Sequence, residues 1–239
     1  RAMKKELEVS AVSIHAFPDI ADDYALMNCG ASMGEGYGPM IVSKVGVSVA
    51  EAKASPIAVP GFKTSAYMGI RLCWGDLHYE VVPFDEIIPR ILDGTYKSGL
   101  IIHEGQLTYT QHNLDVLVNL GVWWNEKTGG LPMPLGGNVV RRDLGEKVMN
   151  DVTMYTKMSI EHSIKNPDVA LEFAKKWGRG IDDETNREFV TMYVNDRTID
   201  YRPEGRESIR LFLKEGQKIG LIDPDFDVGS LQFIGAPES

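Results

Sequence analysis

The sequence predicts an α/β fold in two lobes, with mixed sheets flanked by helices, and three observations carry that reading. Short apolar runs alternate with helical patterns between residues 56 and 132, the order that builds a sheet covered by helices. From Gly145 onward the pattern is helical. Two connectors, near 44–56 and 132–139, separate the compact middle from both ends, and two crossings are what a hinged, ligand-closing protein requires. The expected division is a larger lobe of 1–50 with 138–239, a smaller α/β lobe of 56–132, and hinges at the two connectors.

Val9-Ser10-Ala11-Val12-Ser13-Ile14 alternates apolar with small polar residues, the period-two pattern of a strand. Residues 24–28 read as a second strand. The stretch 30–39 carries four glycines, a density that signals tight turns or close approach to a ligand. A short buried strand at 40–43 follows, then loop or short helix over 45–54. Residues 56–61 read as strand then turn, and 64–72 as a helix that Thr64 can cap. A strand at 79–82 precedes a helix at 84–93 with Ile87, Ile88, Ile91 and Leu92 on one face and Gly94 closing it. Gly99-Leu100-Ile101-Ile102 is a buried strand that delivers His103 and Glu104 at its carboxyl end. A strand at 114–119 leads into Trp123-Trp124, and the Pro/Gly-rich 131–138 is the second connector. Helices are expected at 147–165, 167–177, 183–193 and 204–219.

Composition excludes several classes. Hydrophobic residues at 43% and charged residues at 25% rule out wholesale disorder. The apolar runs are a handful of residues long, too short for a transmembrane helix. A net charge of −9 without a basic cluster argues against nucleic acid as a partner, and a membrane partner is not expected either. Two cysteines, Cys29 and Cys73, are too few for a disulfide scaffold and read as buried free thiols. No charged-then-apolar leader with a small-residue cleavage site is present near Arg1, and the expected location is cytoplasmic.

In sheets of this kind ligands bind outside the carboxyl ends of strands, which gives weight to the segments after Val59 and Ile102. Thr64-Ser65 offers hydroxyls and backbone N–H groups at a helix start, suited to a carboxylate or phosphate; an ordinary helix cap is the alternative. His103 is placed to move a proton near neutral pH; a structurally hydrogen-bonded histidine is the alternative. His15 reads more readily as a packed residue, and His78, His112 and His162 as surface residues. Trp123-Trp124 can stack an aromatic ligand or simply pack. No Cys/His pair has zinc-like spacing, so neither metal nor cofactor is expected. The glycine-rich stretch lacks both the Lys-Ser/Thr ending of a phosphate loop and the strand-then-helix context of a dinucleotide fingerprint, and no Gly-x-Ser-x-Gly elbow or Cys-x-x-Cys occurs.

Six stretches in order carry a resemblance: 34–39 (Gly-Glu-Gly-Tyr-Gly-Pro), 60–66 (Pro-Gly-Phe-Lys-Thr-Ser-Ala), 99–109 around Ile102-His103-Glu104, 120–124 (Leu-Gly-Val-Trp-Trp), 131–136 (Leu-Pro-Met-Pro-Leu-Gly) and 141–145 (Arg-Arg-Asp-Leu-Gly). Together they resemble the 1,4-dihydroxy-6-naphthoate synthase family of the futalosine route to menaquinone. The resemblance implies a type II periplasmic-binding-protein-like fold with the site in a cleft between lobes. It implies a lyase that cleaves cyclic dehypoxanthinylfutalosine to 1,4-dihydroxy-6-naphthoate without metal or redox cofactor, and hence a small carboxylate as partner. The family's catalytic base matches His103, and its ligand-contacting hydroxyls match Ser13 and the pair Thr64 and Ser65.

The chain departs from the family pattern twice. Two threonines are usual where Thr64-Ser65 stands, so a hydroxyl is retained. The family also begins with a strand and a Ser-Pro-Cys-Pro-Asn-Asp-type loop ahead of the position of Arg1. A separate N-terminal piece of the same protein is therefore an expected partner, and the isolated chain is expected to lack part of the substrate wall. Two other functions fit the fold: a non-catalytic solute-binding protein for a small carboxylate or aromatic acid, and the related chorismate dehydratase. The Ile102-His103-Glu104 and Trp123-Trp124 motifs argue against the latter.

Overall fold

The computed structural model of the chain describes residues 1–103, 105–175, 187, 190, 191 and 193–236. The helix expected at 183–193 and the end of that at 167–177 fall largely outside these residues, as does Glu104. The chain divides into two compact units, Arg1–Met33 with Pro134–Ser239, and Gly34–Met133.

The first unit holds β1 (Val9–Ser13), β2 (Tyr24–Met27) and β3 (Ser32–Gly34), at whose end the chain passes into the second unit. The second unit runs through β4 (Met40–Lys44), α1 (Val49–Lys53), β5 (Ile57–Val59), α2 (Ser65–Trp74), β6 (Tyr79–Val81), α3 (Ile87–Leu92) and β7 (Ser98–Ile101). It closes with α4 (Gly105–Thr108), β8 (Leu114–Asn119) and α5 (Leu120–Thr128). The first unit resumes with β9 (Met133–Arg141), α6 (Glu146–Lys165), α7 (Pro167–Lys175), α8 (Asp196–Ile199), α9 (Arg202–Lys218) and β10 (Phe233–Ile234).

The sheet of the second unit has the order β6-β5-β7-β4-β8. β6, β5 and β7 run parallel, with Ile57 opposite Tyr79 on one side and Ser98 on the other, while β4 is antiparallel to both β7 and β8. The sheet is mixed because β4 enters from the opposite end. Its core gathers Val42, Ala58, Ile87, Ile91 and Ile101, all essentially buried, and each of the Val and Ile side chains stabilises by roughly 1.5–3 kcal/mol. Local chemistry agrees with this packing. Ser48 and Glu51 form a capping box that opens α1, with the Glu51 carboxylate 2.9 Å from the Ser48 amide. Gly94, at φ 88°, follows the turn that ends α3.

Two expectations about the connectors are corrected. Residues 34–50 belong to the second unit, not to the larger lobe, because β4 is hydrogen-bonded along both edges, to β7 and to β8. The first passage between units is at 33/34 rather than in 44–56. The second passage, at 133/134, does fall inside the expected 132–139, but that Pro/Gly-rich stretch is not a loop: most of it is the first part of β9, which lies between β1 and β2. Pro134 stands ahead of the residues of β9 that pair with β1 and with β2, so its missing N–H costs neither of those ladders a bond. Gly137 is needed there, since a Cβ would lie 2.6 Å from the hydroxyl of the fully buried Tyr201.

In the first unit β1 and β2 flank β9 antiparallel, with Ser13 opposite Gly136 and Leu26 opposite Val139, and β10 adds parallel to β2. α6 covers one face through Met149, packed with Met27, Cys29 and Val140. Among the described residues no helix is long and apolar enough to cross a membrane.

Candidate functional site

The topology of the second unit collects chemistry at one edge of its sheet. The chain leaves the parallel strands β6, β5 and β7 at the same edge. Met40 lies opposite both Ile101 and Asn119, so the chain also enters β4 and leaves β8 there. Five connections therefore share this edge: the loop before β4 and those after β5, β6, β7 and β8.

After β5 the chain turns through Pro60-Gly61 into α2. Thr64 is the N-cap, in an extended conformation. Its hydroxyl donates to the Gly61 carbonyl at 2.8 Å and accepts from the Tyr67 amide at 3.1 Å. The structure shows the cap: the Thr64 oxygen stiffens the turn while the amides of Ser65 and Ala66 begin the helix. No acidic residue stands in the first turn of α2 itself, where an anion is favoured by the positive end of the helix dipole. Ser65, the first residue of α2, is buried, at 2% exposure.

After β7, His103 stands two residues beyond the strand and is exposed. Its backbone is left-handed, at φ 54°, a conformation that costs a non-glycine residue of order 1 kcal/mol and is found at functional turns. Its carbonyl accepts the Gln106 amide at 3.1 Å, which starts the turn of α4. The imidazole meets the ring of Phe84 nearly perpendicularly, at 72° with centroids 5.3 Å apart. Phe84 comes from the connection after β6, so the two rings approach from the strands on either side of β5. Sequence reasoning missed Phe84.

The glycine-rich loop reaches the same edge. The Tyr37 carbonyl would lie 1.8 Å from a Cβ at Gly121, so the loop rests directly on the first turn of α5. Asn119 caps that helix, its Oδ1 accepting the Gly121 and Val122 amides at 3.0 and 3.2 Å. The glycines therefore serve close backbone approach. Trp124 is fully buried and packs, while Trp123, its ring 5.9 Å away, is half-buried.

The remaining singled-out residues lie elsewhere. Ser13 ends β1 in the first unit and precedes a 3-10 turn, Ile14–Ile20, to which its side chain makes no capping bond. His15, in that turn, is 1% exposed with Nε2 3.4 Å from the Leu221 carbonyl. His78, His112 and His162 are exposed. Cys29 is buried and Cys73 half-buried; both are free, and burial pushes both thiols up to about 11, far from a nucleophilic thiolate at neutral pH. Among the described residues no group of three or more His, Cys, Asp or Glu is arranged to hold a metal ion.

An exposed imidazole and a helix start on neighbouring strand ends can bind an anion and move a proton beside it. The family model described as menaquinone biosynthesis matches residues 1–218. The chain is 32% identical over 223 residues to a 1,4-dihydroxy-6-naphthoate synthase of Thermus thermophilus, covering 93% of this chain and 81% of the relative. Among solved structures, protein AF1704 of Archaeoglobus fulgidus is similar at a TM-score of 0.86 and 39% identity, covering 92% of this chain and 82% of that one. The periplasmic aliphatic sulphonate binding protein SsuA of Escherichia coli shares the fold at a TM-score of 0.66 and 11% identity, over all of this chain and 80% of that one. The fold is that of the periplasmic binding proteins, and the chain belongs to the menaquinone biosynthesis family.

Proposed function

We propose that this chain is a lyase that converts cyclic dehypoxanthinylfutalosine to 1,4-dihydroxy-6-naphthoate, with His103 as general base. One observation carries the reading: His103 and the start of α2 follow β7 and β5, adjacent parallel strands whose carboxyl ends share one edge. The substrate's carboxylate is held at the start of α2, at the amides of Ser65 and Ala66, with Thr64 bracing the turn beneath them, where the helix dipole favours an anion. Ser13 is the further hydroxyl that the family resemblance assigns to the ligand.

Neutral His103 takes a proton from the carbon beside the substrate's carbonyl. The electron pair enters an enolate, which re-forms the carbonyl as it expels the leaving fragment, and the imidazolium returns the proton to that fragment. Aromatisation of the ring system drives the step. A positioned base contributes about 10²–10⁴-fold. A cytoplasmic location fits the two free thiols.

The test is incubation of the purified protein with cyclic dehypoxanthinylfutalosine, following naphthoate release by mass spectrometry. Catalytic release over many turnovers is expected. Stoichiometric binding of the compound or of the naphthoate without turnover contradicts the lyase and makes the chain a solute-binding protein.

A further inference from the structure

We propose that Phe84 is a positioning residue for His103: its ring holds the exposed imidazole in the orientation from which it takes the substrate's proton. The inference rests on the reading of His103 as the base and adds a residue to that site.

His103 lies between the end of β7 and the start of α4, its backbone fixed by the left-handed turn and by the Gln106 amide on its carbonyl, and its exposed imidazole meets the Phe84 ring. Phe84 stands on a rigid base. The Val82 amide donates to the Val59 carbonyl at 2.9 Å, continuing the β5–β6 pairing beyond β6, and Val82 itself is 2% exposed. Pro83 fixes the next φ, and the Glu86 amide returns to the Pro83 carbonyl at 2.9 Å, closing the 3-10 turn Phe84–Glu86. That turn runs straight into α3, whose Ile87 and Ile91 are fully buried. The backbone that carries Phe84 is thus fixed from both sides, by β5 before it and by α3 after it.

The perpendicular ring contact at 5.3 Å is the favoured geometry for an aromatic pair. It restricts the imidazole to one swing and shields one side of it from water. Because β5 lies between β6 and β7, the pair is held beside the strand that leads into Thr64. Positioning of this kind acts on the chemical step more than on binding, since Phe84 contributes no group to the carboxylate.

The experiment compares Phe84→Leu, Phe84→Tyr and His103→Ala in the whole chain, by steady-state turnover and by the imidazole proton resonances, that of His103 being the one absent from His103→Ala. Phe84→Leu is expected to lower kcat roughly 3- to 10-fold, with KM within about twofold, and to shift the His103 resonance through loss of the neighbouring ring current. Phe84→Tyr keeps the ring and is expected to keep both values. An unchanged kcat or an unmoved His103 resonance in Phe84→Leu overturns the proposal, as does an equal fall in Phe84→Tyr. Near-normal turnover by His103→Ala overturns the base assignment itself, so the two failures are read separately.

Discussion

Two histidines occupy equivalent places in the two units and have opposite environments. His15 stands two residues beyond β1 and His103 two residues beyond β7. His15 is 1% exposed and touches the Leu221 carbonyl, where only a ring N–H can donate. His103 is exposed, left-handed, and held on one side by Phe84. The segment after each strand makes the difference. β1 runs into a 3-10 turn whose Ile14, Phe17 and Ile20 are all buried and draw His15 inward with them. β7 runs into a turn toward Gly105 that needs no burial at position 103. Distance from a strand end does not make a histidine catalytic; the next few apolar residues decide whether the ring stays in solvent.

Substitution at the two positions sharpens this contrast most. His103→Ala is expected to lower kcat by about 10²–10⁴-fold with an unchanged thermal midpoint. His15→Ala is expected to do the reverse, losing about 2–3 kcal/mol in urea denaturation, because it leaves a gap and an unpaired carbonyl, while kcat stays near that of the parent. A catalytic loss at His15 without a stability loss breaks the comparison.

A smaller effect separates a buried thiol from the exposed edge. Cys29 is 1% exposed and its thiol is raised from 9.0 to about 11 by burial. The raised value means that the native state keeps its proton where the unfolded chain loses it. The corresponding stability is complete below pH 9 and is lost as pH rises to 11, by about 1–2 kcal/mol. Urea titrations at pH 8, 9.5 and 11 are expected to show this fall, and Cys29→Ala to flatten it; an equal slope in the variant contradicts it.

How much of this was legible in the sequence depended on range. The Thr64 cap was readable because the residues that bond its hydroxyl, Gly61 and Tyr67, lie three positions away on either side. His103 at a strand end was readable from the apolar run before it. β9 was not, because Pro134, Gly136 and Gly137 imitate a connector; the two glycines face the Val12 carbonyl and the Tyr201 hydroxyl, far off in sequence. The place of β4, central in the second unit, is likewise set by partners at 98–101 and 114–119. Phe84 was invisible for the same reason: its contact with His103 exists only once β6 and β7 flank β5. Ser65 pairs a legible position with an illegible environment, since its burial comes from tertiary packing.

The most direct measurement is labelling of the active protein with diethyl pyrocarbonate, mapping each modified histidine by mass spectrometry while activity is followed. The account predicts that His103 is carbethoxylated, that activity falls in step with it, that bound substrate slows both, and that His15 stays unmodified. Full turnover by protein in which His103 is completely carbethoxylated would contradict it.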